Sequence, residues 1–428
     1  MNQSPIWHPF TQHALLPDSI FIERAEGAYL YPRYGQRIID GISSWWVNIH
    51  GHNHPKIVAA IQAQAAQLDQ IIFAGFTHEP AERLAAKLIA LMPSNLTRVF
   101  FSDSGSTAVE VALKLALGFW AHRGNARRGV VALEHAYHGD TFGAMSVGAR
   151  GAFNAPYAPL LFDVHRLPFP EKGNEHLTIE ACERLLETQR DDIAALILEP
   201  LVLGAAGMMV YDAGTLRALY KLCRRYDVIF IADEVMTGWG RTGTRFACEQ
   251  AGIEPDIVCL SKGLTGGFLP LAVTLATEEI YREFYSTDRA KTFFHSSSFT
   301  GNPLACAAAC ASLDLWDEEP VMERIRIIHD QQAALLPRLQ TRSDVENVRH
   351  AGTIVAFDVG NADRGYLSGI APRLYRYFVA QGVLLRPIGQ SIYMLPPYCV
   401  SAEDLEVIVG TIERALDALR DGTLEQSA

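Results

Sequence analysis

Short and almost uninterrupted apolar runs recur through the middle of this chain, with helical patterns between them. Runs this short are typical of strands that are covered on both faces of a sheet. Because the runs alternate with helices along the sequence, the pattern predicts an α/β domain built on a mostly parallel sheet. The predicted strands are Arg98–Phe101, Val130–Leu133, Ala194–Leu198, Val228–Ala232, Ile257–Leu260 and Ala272–Leu275.

Helical periodicity fills the segments between and around these runs. A helix that lies on a sheet places apolar residues on one face, and the spacing of apolar residues in these segments follows that rule. We therefore expect helices to cover the predicted sheet. The predicted helices are Pro55–Gln70, Pro80–Met92, Ser106–Arg123, Thr178–Gln189, Ala213–Tyr226 and Pro303–Trp316.

The last third of the chain loses the regular alternation, which predicts a second, smaller α+β domain. Strand-like pieces close to the N-terminus are expected to pack with it. The 428-residue chain is therefore divided into an N-terminal segment (1–50), a large α/β domain (51–314) and a small domain (315–428). The elements predicted outside the large domain are strands at Phe21–Glu26, Ala28–Tyr31, Val348–Val359 and Gly382–Pro396, and helices at Ile370–Gln381 and Ala402–Leu419.

Charge and cysteine usage narrow the possible functions. The formal net charge is −11, from 37 basic and 48 acidic residues, which argues against a nucleic-acid or anionic-membrane surface. Seven scattered cysteines without a CxxC pair predict a reduced, cytoplasmic protein without a metal site. The N-terminus shows no signal-peptide pattern, and no apolar stretch is typical of a membrane span.

Two segments that follow predicted strands carry small or aromatic residues. The sequence SDSGS, at 102–106, precedes a long helical pattern, and exposed N–H groups at a helix N-terminus favour a phosphate. An ordinary helix cap is the alternative interpretation, and taken alone it is the better one. In EHAYHGD, at 134–140, Tyr137 offers an aromatic face for a flat cofactor, whereas His135 and His138 are expected to bond loop backbone.

Two further strand ends carry charged residues. The run IFIADE places Asp233 at the edge of the sheet, where it needs a partner such as a pyridinium N–H or the guanidinium of Arg241. The run LSKGLTGG places Lys262 after an apolar strand, where enclosure lowers the pKa of an amine and favours Schiff-base formation. A surface lysine in a glycine-rich turn is the alternative.

The order of the four parts is more specific than any one of them. A phosphate cradle, an aromatic stacker, a carboxylate and a lysine are what a pyridoxal phosphate (PLP) enzyme needs around its cofactor. The sequence GWGRTG at 238–243 matches a dinucleotide-binding pattern, but Asp233 and the residues after it separate it from the preceding strand. We therefore regard a dinucleotide oxidoreductase as a weak alternative.

In this order the motifs resemble the class III aminotransferases of PLP fold type I, over nearly the whole chain. The resemblance implies a large domain with a mostly parallel sheet, a smaller α+β domain and a homodimer with active sites at the interface. One branch is more similar, the adenosylmethionine–8-amino-7-oxononanoate aminotransferases of biotin biosynthesis. The segments that resemble that branch are Ile6–Gln12, Asp40–Pro55, Tyr137–Gly148, Phe299–Ala309 and Arg386–Tyr398.

The resemblance implies roles for residues around PLP. Lys262 would carry the cofactor as a Schiff base and shuttle a proton. Asp233 would keep the pyridinium nitrogen protonated, and Tyr137 would lie against the ring. The phosphate would be bound by residues of one subunit and of its neighbour, and these are Gly105, Ser106, Ser297 and Ser298.

The resemblance also implies a substrate pocket. Arg386 would grip the carboxylate of 8-amino-7-oxononanoate in a bidentate pair. The implied reaction converts this ketone to 7,8-diaminononanoate with S-adenosylmethionine as the amino donor. The other implied substrate contacts are Phe10, Trp45, Tyr137, Ser296 and Tyr393.

Two positions bear on the amino donor. Phe10 stands where several members of the family have Tyr, and in that respect the chain resembles members that use lysine. Tyr393 is present, as in members that use adenosylmethionine. The implied donor is adenosylmethionine, and the alternatives are the same reaction with lysine, another class III ω-aminotransferase, or a PLP-fold protein without enzymatic activity.

Overall fold

The computed structural model describes residues 5–15, 19–360, 362 and 365–424. Thirteen helices are found in these ranges, together with short 3-10 turns at Ala155–Leu160, Lys262–Thr265 and Arg289–Lys291. The helices are α1 (Ser43–Trp46), α2 (Pro55–Ala65), α3 (Glu79–Leu91), α4 (Gly105–His122), α5 (Phe142–Val147), α6 (Glu175–Gln189), α7 (Ala213–Tyr226), α8 (Cys248–Ala251), α9 (Glu278–Phe284), α10 (Pro303–Glu318), α11 (Val321–Gln340), α12 (Ile370–Ala380) and α13 (Ala402–Arg420).

The same ranges contain sixteen strands. The six predicted in the middle of the chain are confirmed to within about two residues at each end, as is usual for such boundaries. The strands are β1 (Ile22–Glu26), β2 (Tyr29–Pro32), β3 (Ile38–Asp40), β4 (Leu96–Ser102), β5 (Gly129–Leu133), β6 (His165–Leu167), β7 (Ile193–Leu198), β8 (Val202–Leu203), β9 (Met209–Val210), β10 (Ile229–Asp233), β11 (Ile257–Leu260), β12 (Ala272–Thr277), β13 (Val345–Ala351), β14 (Ile354–Val359), β15 (Val383–Leu384) and β16 (Ser391–Met394).

A seven-stranded sheet organises the large part of the chain, in the order β4-β12-β11-β10-β7-β5-β6. Strands β11, β10, β7, β5 and β6 pair in parallel, and β12 runs antiparallel to β11 and to β4. The predicted α/β class with a mostly parallel sheet is therefore confirmed. The connections between parallel strands contain helices, as parallel pairing requires.

Both faces of this sheet are buried, which explains the uninterrupted apolar runs. On β10, Ile229 and Ile231 pack into the cluster that contains α4. Phe230 and Ala232, which alternate with them, pack into the larger cluster on the opposite face. Since neighbouring side chains on a strand point to opposite faces, a strand covered on both sides must be apolar at every position.

Strands from both ends of the chain pair in a second sheet, ordered β1-β2-β3-β15. Ile39 of β3 pairs in parallel with Val383 of β15, so the N-terminal strands join the C-terminal part. A third sheet, β13-β14-β16, is antiparallel. The division of the chain at residues 50 and 314 stays a prediction.

The C-terminal strands differ from the predicted ones. Val348–Val359 is not one strand but the hairpin of β13 and β14, which turns at Gly352 with φ +57°. Gly382–Pro396 contains two short strands that belong to different sheets, β15 and β16. The apolar pattern did not reveal the first break because β13, which reads VENVRHA, is largely polar and is separated from β14 by only two residues. In the second segment, the glycine and proline between β15 and β16 were the signal that an apolar pattern alone overlooks.

Helix α11, 20 residues long, was not predicted. Its buried residues Val321, Ile325, Ile328, Leu335 and Leu339 follow a helical period, so the signal was present in the sequence. Within the described ranges, no helix is both long enough and apolar enough to cross a bilayer.

Gly352 packs the hairpin of β13 and β14 against the loop 238–243. A Cβ atom built on Gly352 would lie 2.3 Å from the backbone nitrogen of Gly243 and 2.4 Å from the carbonyl oxygen of Arg241. These neighbours are backbone atoms and cannot move aside cheaply. The glycines of GWGRTG therefore serve close packing between two parts of the chain, and no helix follows them directly.

We expect Gly352→Ala to destabilise the protein by about 1–3 kcal/mol, because it combines a left-handed backbone with a steric clash. The urea midpoint of unfolding measures the change. Gly369→Ala is the matched control, since nothing lies within 4 Å of the added methyl group. The control is expected to stay within about 0.5 kcal/mol of the wild type. An equal loss in both variants would contradict the packing role of Gly352.

Candidate active site

The carboxyl ends of five strands carry the polar residues of the site. Asp233 is the last residue of β10, and Lys262 lies two residues beyond the end of β11. Strands β10 and β11 are neighbours in parallel register, with Asp233 opposite Cys259. Ligands of open α/β sheets bind beyond the carboxyl ends of the strands, so a binding site is expected at this edge.

A cavity of about 260 Å³ lies at that edge. Several flat aromatic rings line it, together with a few ionisable groups. We call it the central cavity, and its bounding residues include Phe10, Trp45, Tyr137, Phe153, Lys262 and Arg386.

Lys262 is not a surface lysine, because its side chain lines the central cavity. Its Nζ lies 5.2 Å from the centre of the Trp46 ring. Burial lowers the pKa of Lys262, while the carboxylates of Asp233 and Glu199 oppose that shift. The backbone of Lys262 is left-handed, with φ +43°, a strained conformation that aims the side chain. The site therefore favours a neutral amine.

Asp233 is buried and paired with a histidine rather than with Arg241. Its Oδ2 lies 2.7 Å from Nδ1 of His138, and its Oδ1 accepts a hydrogen bond from the amide of Val235. Arg241 donates instead to the carbonyl oxygen of Pro396. The expectation that His138 bonds loop backbone is therefore wrong. No sequence pattern predicts this pairing, because the two residues are brought together only by the order of β5, β7 and β10 in the sheet.

The N-terminus of α4 opens into the central cavity. Ser104 caps the helix through a capping box with Thr107. Gly105 and Ser106, the first two helical residues, line the cavity, and their amides precede the first intrahelical hydrogen bonds. A Cβ atom on Gly105 would lie 2.7 Å from Cγ1 of Val235, so only glycine fits there. The helix cap at Ser104 is therefore adjacent to the residues predicted to bind a phosphate, and the two interpretations do not exclude each other.

Tyr137 presents its ring to the central cavity from the loop after β5. Burial raises the pKa of Tyr137, and the nearby carboxylate of Asp140 adds to the shift. Its amide donates to Oε1 of Glu199 over 3.0 Å, which fixes the backbone of the loop. The phenol is therefore held neutral, with its position set by the backbone.

Glu199 is a site residue that the sequence prediction missed. It is 5% exposed, lines the central cavity, and accepts hydrogen bonds from the amides of Tyr137 and Gly204. Burial raises the pKa of Glu199 to about 7. It follows the apolar strand β7 in the run LILEP, just as Asp233 ends β10. The same pattern of a carboxylate after an apolar strand would have identified it.

A strained turn carries Trp45 and Trp46 into the site. Ser43, Ser44 and Trp46 all have positive φ angles, so α1 is not a regular helix. The buried carboxylate of Asp40 accepts hydrogen bonds from the amides of Ile42 and Ser44 and contacts Nε2 of His52. These bonds stabilise a backbone that would otherwise relax.

Tyr393 and Arg386, two of the predicted substrate contacts, lie next to the tryptophans of this turn. Nε1 of Trp46 donates to the hydroxyl of Tyr393 over 3.0 Å, and Tyr393 lines the central cavity. Arg386 lines it as well, with its guanidinium 5.2 Å from the centre of the Trp45 ring. A nitrogen of Arg386 donates to the carbonyl oxygen of Phe10 over 3.1 Å. The N-terminal segment therefore closes one side of the cavity.

Ser296, Ser297 and Ser298 lie outside the central cavity of the same chain. The side-chain Nε2 of Gln70 holds the segment by donating to the carbonyl oxygen of Ser298. The amide of Ser297 donates to the hydroxyl of Thr300. The structure thus brings the other predicted site residues together around one cavity and leaves these three on the surface.

The residues around the central cavity fit PLP. Lys262 supplies a primary amine of lowered pKa, and Asp233 supplies a buried carboxylate. His138 has a buried Nε2 without a hydrogen-bond partner in the described structure, which indicates that the site is built for further polar contacts. Helix α4 offers its N-terminus to an anion, and Tyr137 offers an aromatic face.

Residues 11–416 match the protein family Aminotransferase class-III. The chain is 48% identical over 423 residues to the adenosylmethionine-8-amino-7-oxononanoate aminotransferase of Synechococcus elongatus, covering 97% of this chain and 99% of the relative. It is 37% identical to the enzyme of the same name from Aquifex aeolicus, over 96% of this chain and 95% of the relative.

Solved structures of similar proteins have the same architecture. The adenosylmethionine-8-amino-7-oxononanoate aminotransferase of Methanocaldococcus jannaschii superimposes with a TM-score of 0.91 at 35% identity, over 96% of this chain and 97% of the other. An amine transaminase from an uncultivated Pseudomonas species, in its PLP-bound form, reaches 0.91 at 31% identity, over 97% of this chain and 99% of the other. The fold around the central cavity is therefore that of transaminases.

Because of Glu199, the free energy of unfolding of the cofactor-free protein is expected to depend on pH. Its folded-state pKa of about 7 lies above the ordinary value of 4.5. The protonated form therefore stabilises the fold fully below the unfolded-state pKa, and this contribution is lost as the pH rises through about 7. We expect wild type to lose on the order of 3 kcal/mol relative to Glu199→Gln between pH 4.5 and 8.

Urea midpoints measured across that pH range decide this prediction. The variant also disturbs two backbone hydrogen bonds, so the slope against pH and not the offset is the readout. Glu180→Gln, an exposed carboxylate on α6, is the matched control and should run parallel to wild type. If the pH dependence of Glu199→Gln also ran parallel to that of wild type, the prediction would be contradicted.

Proposed function

The chain belongs to the class III aminotransferases, which are PLP-dependent enzymes, and we propose that it transfers an amino group from adenosylmethionine to 8-amino-7-oxononanoate. The product would be 7,8-diaminononanoate, in biotin biosynthesis. The observation that carries the proposal is the arrangement of Lys262, Asp233 and Arg386 around one cavity in a chain similar along nearly its whole length to enzymes of that name. The seven free cysteine thiols favour a cytoplasmic enzyme.

Several residues of one chain would each bind a different part of PLP. Lys262 would hold the cofactor covalently, and Asp233 would accept a hydrogen bond from its ring nitrogen. Gly105 and Ser106 would bind the phosphate through their amides, and Tyr137 would lie against the ring. Bound there, PLP supplies an electron sink for the charge that develops on the substrate carbon.

Lys262 is also the base that moves a proton. Its amine is neutral only if its pKa is low, and burial supplies that condition. Once free of the cofactor, Nζ would take a proton from the carbon that bears the donor's nitrogen and later deliver one to the acceptor's carbon. Asp233, held by His138, would keep the ring nitrogen protonated throughout.

The rest of the central cavity would position the substrates. Arg386 would bind the carboxylate of 8-amino-7-oxononanoate, exchanging its bond to the carbonyl oxygen of Phe10 for a charge pair. Trp45 and Tyr393 offer amphipathic walls, and Phe10 closes the outer side. The walls exclude water from the reacting groups.

A homodimer would complete the phosphate site, with Ser297 and Ser298 contributed by the neighbouring subunit and Ser296 reaching its substrate. Large apolar residues beside this segment support the proposal, because a surface patch of that kind marks an interface. A hydrogen bond from the side-chain amide of Gln70 to the carbonyl oxygen of Ser298 holds together the two segments that carry these residues, which supports the proposal. The exposed members of the patch are Ile72, Phe76, Phe294 and Phe299.

The donor comparison tests the proposed function. Purified protein with 8-amino-7-oxononanoate is expected to form the diamine at least about ten times faster from adenosylmethionine than from lysine. Lys262→Ala is the control and should form none from either, with loss of the cofactor's visible absorbance band. Faster transfer from lysine would reassign the donor, and no transfer to the oxononanoate would point to another ω-aminotransferase.

Arg386→Ala is expected to weaken the oxononanoate half-reaction by about tenfold or more in kcat/KM, because a charge-assisted pair is lost. The donor half-reaction should change much less. Single-turnover absorbance measurements separate the two halves. Arg386→Lys, which keeps the charge but not the bidentate geometry, should fall between. An equal loss in both half-reactions would refute the assignment.

A further inference from the structure

Phe153 lies at the centre of a cage of aromatic rings on the outer side of the central cavity. Its ring centre lies 4.4 Å from that of Tyr366, 5.8 Å from that of Phe10 and 6.1 Å from that of Tyr137. All three contacts are edge-to-face, the favourable arrangement for aromatic pairs. The three partners come from different segments, so one half-buried side chain connects three walls of the site.

The same ring separates the central cavity from two larger ones. A side cavity of about 460 Å³ begins behind Tyr137 and reaches Met209, and an outer cavity of about 590 Å³ reaches Phe142 and Tyr157. Phe153 and Tyr366 line all three cavities. The size of the space that a substrate meets next to Lys262 therefore depends on this pair of rings.

Hydrogen bonds hold the backbone close to each of the two rings. The buried side chain of Asn154 accepts a hydrogen bond from the amide of Gly151 and donates one to the carbonyl oxygen of Ala149. The amide of Gly365 donates to Oε1 of Gln390. With the backbone held at these points, rotation of the Phe153 and Tyr366 side chains changes the space, and the outer cavity leaves room for the Phe153 ring to turn outwards.

We propose that Phe153 is the specificity-determining residue that adapts this site to two substrates of unlike width. In its cage, the ring closes the central cavity around a narrow methylene chain and removes that chain from water. Turned outwards, it admits a substrate that carries a bulky group. The inference rests on the proposed function, because 8-amino-7-oxononanoate is a linear chain whereas adenosylmethionine carries a nucleoside.

The proposal predicts opposite effects on the two half-reactions. In Phe153→Ala, the KM for 8-amino-7-oxononanoate should rise about tenfold, since part of its chain stays in contact with water. The half-reaction with adenosylmethionine should be as fast as in wild type or faster, because no ring has to move. Equal losses in both half-reactions, or an unchanged KM for the oxononanoate, would overturn the proposal.

Unreactive probes keep this test separate from the proposed function. Binding of nonanoate and of adenosine to the holoenzyme is measured by the fluorescence of Trp45 and Trp46, which line the central cavity. Phe153→Ala should weaken nonanoate about tenfold and leave adenosine unchanged or tighter. If wild type fails to aminate the oxononanoate, the proposed function fails, whereas the ratio of the two dissociation constants still decides the role of Phe153.

Phe162→Ala is the matched control, because Phe162 is 42% exposed and lines none of the three cavities. It should bind both probes as wild type does. Phe153→Leu keeps an apolar side chain and is expected to fold even if the alanine variant does not. It should shift the ratio of the two dissociation constants in the same direction, but by less. A shift of equal size in the control would overturn the proposal.

Discussion

The parallel pairing of β10 with β11 is the constraint on which the site depends. Register places Asp233 opposite Cys259, so the residues after each strand emerge at the same edge of the sheet. A slip of one residue would send every side chain of a strand to the opposite face. The two faces pack into different clusters, so a slip would exchange the side chains that fill each of them and disrupt their close packing, which fixes the relative positions of Asp233 and Lys262.

Strain at the site is balanced by buried polar groups close to it. Lys262 and the turn at 43–46 have left-handed backbones, each of which costs on the order of 1–3 kcal/mol. Asp40 offsets part of that cost by accepting two backbone amides, and Glu199 does the same for the loops that hold Tyr137 and Gly204. The carboxylates of Asp40 and Glu199 thus stabilise the backbone that positions the aromatic walls. This role requires no contact with the reacting atoms.

The sequence predicted the sheet and most of the site, and its failures have physical reasons. Continuous apolar runs identify buried strands, and polar residues after them identify the active edge, which is how Asp233 and Lys262 were found. His138 and Phe153 were missed because their importance comes from partners distant in sequence, Asp233 and Tyr366. The hairpin at Gly352 was missed because β13 reads VENVRHA and carries little apolar pattern of its own, while the turn to β14 is only two residues long.

The sheet that joins β3 to β15 has a consequence for how the chain is made. Ile39 is synthesised well before its partner Val383, which lies 383 − 39 = 344 residues further along the chain. Pairing of such distant residues is slow, and an unpaired strand edge is prone to aggregation. The strands of the large sheet all precede residue 278, whereas the wall formed by Trp45 and Arg386 cannot be completed until residue 386 has been synthesised. A nascent chain would therefore acquire the amine and its carboxylate before it acquires any selectivity for what they act on.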